Sequence, residues 1–266
     1  MKQHAETRVA VIGAGIAGLT AAYELKNAGF TVVVYEKTGV PGGRMATRFK
    51  NGFQFNPGAT FLSEDYHQLK SYAAEFGVAL TPMISGSRHR VIRSGKTYRY
   101  GARGPLGVFR LNVISLPARL RLVKWLLKSL FRSGPGNFFD LSTIRPTLDF
   151  EPAGSYLRRE MGDEVVDYLI DPLTAALHFY RSAAMSTAVV FGMLTMMKTK
   201  GNFTARHPRG GMSAIPKALA SKLTVRYRAK IEGVSSIKNE CRIRIGGKDE
   251  HFSAVVLACP APAALT

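Results

Sequence analysis

The sequence predicts an α/β fold in which both ends of the chain build one parallel sheet, interrupted by an inserted, mainly helical α+β domain. Three observations carry this reading. A strand–turn–helix–strand unit opens the chain, helical periodicities fill its middle, and strand patterns return after residue 206. Arg8–Ile12 is a short apolar strand feeding Gly13-Ala14-Gly15-Ile16-Ala17-Gly18, a G-x-G-x-x-G turn, and Thr20–Leu25 continues as a helix. The first glycine allows the tight turn, the second lets backbone approach a pyrophosphate, and the third lets helix and strand pack closely. The helix N-terminus then offers free N–H groups and a positive dipole end to the phosphates. Thr31–Glu36 forms the second strand and ends in an acid 18 residues after Gly18, where a ribose hydroxyl belongs. The unit is therefore Rossmann-like.

The following segment narrows the dinucleotide. Gly39-Val40-Pro41-Gly42-Gly43-Arg44-Met45 supplies a second glycine turn with an arginine, and Gly52-Phe53-Gln54-Phe55-Asn56-Pro57-Gly58-Ala59-Thr60 comes soon after. A nicotinamide unit does not need this second turn, whereas a protein that lays extended FAD across its sheet can use both. Gly42-Gly43 permits close backbone approach, Arg44 can neutralise phosphate charge, and Gly58-Ala59 leaves room beside a flat ring.

Within the insertion, Arg88–Val91 and Lys96–Tyr100 read as a hairpin turning at Ser94-Gly95, and Tyr66–Phe76 and Glu151–Leu169 read as helical. Ser133-Gly134-Pro135-Gly136-Asn137 is the clearest local linker. Leu223–Ile237 reads as strands, and Phe252–Leu257 as the strand returning to the first domain. The expected division is 1–62 and 206–266 for the dinucleotide domain, with 63–205 as the substrate and membrane-associated insertion.

On the two glycine turns, Pro208-Arg209-Gly210-Gly211-Met212 and the closing strand, the chain resembles the flavin-dependent amine oxidase superfamily, which includes protoporphyrinogen oxidases and phytoene-type desaturases. The resemblance implies FAD as cofactor. It implies contacts from Gly13, Gly15, Ile16, Ala17 and Gly18 to the phosphates and from Glu36 and Lys37 at the ribose end. Gly42, Gly43 and Arg44 would complete the phosphate site, Gly58, Ala59 and Thr60 would lie by the ring, Ile231 by the adenine, and Ala258 beside the cofactor. Asn56 stands where many relatives carry an acid. Relatives also extend well beyond Leu257, so the expectation is that the C-terminal part completing the FAD site is missing and that a separate partner chain is one way to supply it.

Composition bounds the function. A chain of 266 residues, 46% hydrophobic, can bury one large core or two modest ones. Cys241 and Cys259 make no disulfide framework, and the six histidines are scattered without metal-ligand spacing, so no metal is expected. No apolar secretory core precedes the first strand, which implies a cytoplasmic protein. Lys plus Arg exceed Asp plus Glu by 37 to 18, favouring anionic partners. No nucleic-acid motif accompanies the charge. Arg88, Arg90, Arg93, Lys96, Arg99 and Arg103 form one basic patch.

Pro117–Arg132, read as a helix, sets Leu120, Val123, Leu127, Leu130 and Phe131 along one side, with Arg121, Lys124, Lys128 and Arg132 on another and a lone Trp125. That pattern suits peripheral contact with an anionic membrane, and more readily a core helix with a cationic rim. Ser182–Met197 is too short to span a bilayer and reads as a buried helix lining a hydrophobic substrate cavity. Asp149, Glu151, Asp163 and Asp171 read as caps and surface ion pairs, and no catalytic acid or base is assigned. The expected function is an FAD-dependent oxidoreductase resembling protoporphyrinogen oxidase, accepting hydride from a bulky apolar substrate. Arginines would hold the substrate's carboxylates, and oxygen or a quinone would reoxidise the flavin. Amine oxidation and carotenoid desaturation stand as alternatives, as does a catalytically silent nucleotide-binding or membrane-docking protein.

Overall fold

The computed structural model describes residues 7–83, 90–99, 107–132, 143–200, 205–237 and 240–264. The chain forms two compact units, residues 1–83 with 204–266, and residues 84–203. The first unit starts with β1 (Arg8–Ile12), α1 (Ile16–Asn27), β2 (Thr31–Glu36), β3 (Arg48–Lys50), β4 (Phe53–Phe55), β5 (Leu62–Ser63), α2 (His67–Glu75) and β6 (Leu80–Pro82). The second unit holds β7 (Arg90–Arg93), β8 (Lys96–Arg99), α3 (Leu116–Arg132), α4 (Ala153–Met161), α5 (Asp163–Val165), α6 (Asp171–His178) and α7 (Thr187–Lys200). The first unit resumes with β9 (Ala205–Pro208), α8 (Ala214–Ala220), β10 (Thr224–Tyr227), β11 (Ile231–Ile237), β12 (Glu240–Ile245), β13 (Lys248–Phe252), β14 (Ala254–Leu257) and α9 (Ala261–Ala264).

The main sheet of the first unit has the order β10-β2-β1-β14, and every pairing is parallel. Both faces of β2 are covered, which is why Thr31–Glu36 reads as a nearly continuous apolar run. Alternate side chains serve opposite cores. Val32 and Val34 join Leu19, Ala22, Met212, Ile215 and Leu219 on one face. Val33 and Tyr35 join Ile243 and Phe252 of the antiparallel β11-β12-β13 sheet on the other. Burial pushes the Tyr35 phenol up to about 12. Its hydroxyl donates to Glu250 at 2.8 Å, and Arg226 donates to the same carboxylate at 2.7 Å.

Three expectations about the elements change. Tyr72 and Ala73 of α2 pack into the core with Leu19 and Leu219, and β6 pairs with β9, so residues 63–83 belong with the dinucleotide unit and not with the insertion. The helical run over Glu151–Leu169 breaks at Gly162, whose φ of 84° is open to glycine at little cost; α5, a π-helical turn over Val166–Ile170 and α6 follow. The strand at Phe252–Leu257 divides at Ser253, whose N–H donates to the Arg8 carbonyl at 2.8 Å, so β13 and β14 serve different sheets.

In the second unit the hairpin turns at Ser94-Gly95 as expected, with its first strand at Arg90–Arg93 rather than Arg88–Val91. Ser94 (φ 48°) and Gly95 (φ 74°) give the turn that matches strand twist. Arg88, Tyr100, Arg103 and the Ser133–Asn137 linker lie outside the described residues. Arg93 is not a free surface cation: its guanidinium binds Glu164, donates to the Val113 carbonyl at 2.6 Å and lies 4.5 Å over the Tyr168 ring.

Helix α3 takes the core-packing arrangement that its sequence favoured. Ala118, Leu122 and Trp125 are buried in the unit's core, and the Trp125 indole N–H donates to Tyr156 at 3.2 Å. The tryptophan is thus a core residue, while Leu116, Leu120 and Leu127 remain exposed. The side chains of Leu130, Phe131 and Arg132 lie outside the described residues. Val190 and Phe191 of α7 enter the same core. Among the described residues, no helix is long and apolar enough to cross a membrane.

Candidate dinucleotide site

The site grows from the turn between β1 and α1. Gly13 adopts φ 106° and donates its N–H to the Tyr35 carbonyl at 2.8 Å. A Cβ there would stand 2.8 Å from the Ala258 carbonyl oxygen, so the turn needs glycine for both conformation and space. At Gly18 a Cβ would stand only 2.0 Å from the Gly13 oxygen and 3.0 Å from the Ala258 Cβ. Gly15 is different. Its φ of −69° suits any residue, and a Cβ there would meet nothing within 4 Å. It faces open space at the start of a helix that has no side-chain cap and makes its first bond from Leu19 N–H to the Gly15 carbonyl. The N–H groups of Ile16, Ala17 and Gly18 precede that bond and carry the positive end of the helix dipole.

The second glycine turn docks on the first. Gly42 (φ 114°) donates its N–H to the Ala14 carbonyl at 2.8 Å, and Gly15 and Gly42 form an isolated parallel bridge. A Cβ on Gly43 would approach the Gly15 Cα to 3.3 Å. Arg44 follows, exposed and without an ion-pair partner among the described residues. Its carbonyl accepts the Ala59 N–H at 2.8 Å, and a Cβ on Gly58 would fall 2.2 Å from that same oxygen. Gly58, Ala59 and Thr60 are thereby hung from the arginine turn.

Glu36 is buried at 7% exposure and held from two loops. One carboxylate oxygen accepts the Ala14 N–H at 2.9 Å; the other accepts the Thr38 N–H and hydroxyl, each at 2.8 Å. A carboxylate has about four acceptor positions, so capacity for a further donor remains. Lys37 is exposed beside it. Ile231 packs against the cluster of Tyr35 and Phe252, which leaves its backbone as the part able to meet a base. Ala258 donates its N–H to the Ile12 carbonyl at 2.9 Å and backs the first glycine turn from behind.

The structure therefore brings Gly13, Gly15, Ile16, Ala17, Gly18, Glu36, Gly42, Gly43 and Arg44 together, with Gly58–Thr60 attached through Arg44. Sequence reasoning missed Thr38, whose position two residues after the acid is the one local clue to its role. It also missed a long-range relay. The Ser213 N–H donates to Thr47 Oγ1 at 3.0 Å, Thr47 donates to Asn56 Oδ1 at 2.8 Å, and the Asn56 amide reaches His207 Nε2 at 3.2 Å. Asn56 thus pins the strand leading to Gly58 against β9, its amide bonding to Thr47 on one side and His207 on the other.

The carboxylates of the second unit are engaged structurally. Asp149 accepts from Ser186 at 2.6 Å and Glu151 pairs with Arg159. Asp163 and Asp167 each accept from Arg158 at 2.7 Å, and buried Asp171 accepts the Ser182 N–H at 2.9 Å. Among the described residues no His, Cys, Asp and Glu cluster could hold a metal.

A model of the flavin containing amine oxidoreductase family matches residues 16–266. The chain is 30% identical over 167 residues to protoporphyrinogen oxidase 2, chloroplastic/mitochondrial, of Arabidopsis thaliana, an alignment covering 62% of this chain and 31% of that protein. An L-amino-acid oxidase of Daboia russelii is 36% identical over 78 residues, 29% of this chain and 16% of its own. A solved putrescine oxidase double mutant superposes with a TM-score of 0.74 at 22% identity, covering 96% of this chain and 58% of its own, which is a likeness of fold. The chain spans 31% and 33% of the length of the two plant protoporphyrinogen oxidases it matches.

Proposed function

This chain belongs to the flavin-containing amine oxidoreductase family, and from that premise we propose that it holds FAD as the dinucleotide-binding part of an oxidoreductase. The reaction is removal of hydride from a bulky, largely apolar small molecule, as the likeness to protoporphyrinogen oxidase suggests. One observation carries the reading: two glycine turns are bonded backbone to backbone, so the α1 N-terminus and Arg44 serve a single phosphate site. The fit is physical. Gly15 leaves an open cradle where a diphosphate needs close approach, Glu36 keeps an acceptor for a ribose hydroxyl, and Gly58-Ala59 presents a face without bulk. FAD, when bound, supplies the hydride acceptor. The protein's part is to neutralise the diphosphate, orient the sugar and hold Gly58–Thr60 at a fixed distance from Arg44.

Equilibrium dialysis of the purified chain against FAD tests this directly. The expected result is a yellow protein retaining one flavin per chain; a colourless protein that refuses added FAD overturns the reading. For the substrate class, anaerobic mixing of the loaded protein with a porphyrinogen is expected to bleach the flavin, while mixing with a primary amine leaves it oxidised. The opposite pattern would favour amine oxidation.

A peripheral membrane contact has its own support. Leu116, Leu120, half-buried Val123 and Leu127 follow i, i+4, i+7, i+11 spacing on α3, with Arg121 and Lys124 exposed nearby. The opposite face is already used by Leu122 and Trp125 in the core. Vesicles containing phosphatidylserine are expected to sediment the protein, and Leu120→Glu with Leu127→Glu to release it without lowering its melting temperature. Equal recovery of parent and double variant in the supernatant ends this part of the proposal.

A further inference from the structure

Past the ribose acid, the chain carries an arginine in an unusual setting. Tyr227 ends β10 in register with Glu36 at the end of β2. The next residue, Arg228, adopts φ 56°, a left-handed conformation that a long side chain rarely takes. Two bonds pin it there. The Arg228 N–H donates to the Thr38 carbonyl and the Ala229 N–H donates to the Glu36 carbonyl, each at 3.0 Å. The side chain then folds back across the loop that follows Glu36. Its Nε and Nη2 lie 3.5 and 3.8 Å from the point where a Cβ on Gly39 would stand.

Arg228 is exposed, and among the described residues its guanidinium has no carboxylate partner, whereas Arg226 two residues earlier is bonded to Glu250. Tyr227 is 39% exposed, and burial together with the nearby Glu36 charge raises its phenol above the ordinary range. A planar cation, an aromatic ring and a glycine loop thus surround the end of β2, beyond the carboxylate assigned to the sugar. A base joined to a ribose held by Glu36 comes within reach of this end of β2. Guanidinium groups stack on flat π-systems and keep their hydration poorly, which suits them to cover a base.

We infer that Arg228 is a specificity-determining residue whose guanidinium, backed by Gly39, presents its outer face to the adenine of the dinucleotide, with Tyr227 as the side wall. The inference rests on the FAD reading above and adds to it a recognition element for the base. The two backbone hydrogen bonds sustain the strain at Arg228, and the left-handed turn sets the guanidinium against Gly39.

The test measures binding of FAD and of ADP, which share the adenine, to the full chain and to Arg228→Gly and Arg228→Lys. Arg228→Gly is expected to weaken both ligands by the same factor, roughly 2- to 30-fold. Its ligand-free melting temperature should hold or rise, since glycine relieves the positive φ. Arg228→Lys keeps the charge but not the planar face, and most of the loss should persist. If Arg228→Gly or Arg228→Lys binds FAD and ADP as the parent does, the adenine role is overturned while the FAD reading stands. If the parent itself binds neither ligand, the FAD reading fails and takes this inference with it.

Discussion

Replacing Gly15 with Asp is expected to abolish FAD retention while leaving the fold intact. The two halves of that expectation come from separate facts. The Gly15 backbone has ordinary φ and ψ, and a Cβ there meets no atom within 4 Å, so the side chain enters without strain. Position 15 is also the N-cap of α1, where Asp is favoured over Gly by a few tenths of a kcal/mol, so the ligand-free melting temperature should hold or rise slightly. The new carboxylate, however, occupies the space a diphosphate needs. Two like charges about 4 Å apart at an effective dielectric near 20 repel by roughly 4 kcal/mol, which weakens binding on the order of a thousandfold. Fluorescence titration with FAD beside a thermal melt reads both halves. A variant that melts like the parent and still titrates at parental concentrations means that the diphosphate does not lie at this turn.

Three residues later the same kind of change acts the other way. Gly18 sits inside α1, where alanine is the better helix former by about 1 kcal/mol, and propensity alone predicts that Gly18→Ala stabilises. The tertiary contact reverses the sign. The added methyl would stand 2.0 Å from the Gly13 carbonyl oxygen, a backbone atom held in place by the Ala258 segment. Relief requires α1 to lift from β1 and β14. Overpacking at its upper end costs about 3 kcal/mol, leaving a net loss near 2 kcal/mol, or roughly 4–8 °C in melting temperature. Gly15→Ala is the matched control: its Cβ meets no atom within 4 Å, so it loses only the several tenths of a kcal/mol by which glycine exceeds alanine at an N-cap and should melt above Gly18→Ala. Equal melting of the two alanine variants would show that helix and strand do not meet as closely as described.

These paired positions show what was legible before folding. The roles of Gly13, Gly15 and Gly18 follow from a local spacing that joins strand, turn and helix, and Glu36 follows from the length of one strand–helix–strand unit. Such short-range relations are set by φ, ψ and periodicity, which neighbouring residues encode. The helix at Pro117–Arg132 was equally legible as a helix, but not in its orientation. Its sequence has apolar residues on two faces, and only packing against Tyr156 assigns Trp125 inward and Leu120 outward. The break at Gly162 was missed because apolar periodicity continues across it. Asn56 and Arg228 acquire their roles from partners in other elements, 151 and 190 residues away in sequence.

What the sequence alone determined, then, is a strand feeding a glycine-rich helix start, an acid closing the second strand and a second glycine turn with its arginine. What only the tertiary structure decided is that Gly42 bonds to Ala14, that Ala258 closes the space behind Gly13 and Gly18, and that Arg228 reaches over Gly39. The physical reason is one of range. Backbone conformation is chosen by near neighbours, whereas steric exclusion and hydrogen-bond pairing between distant segments depend on which surfaces the folded core brings together.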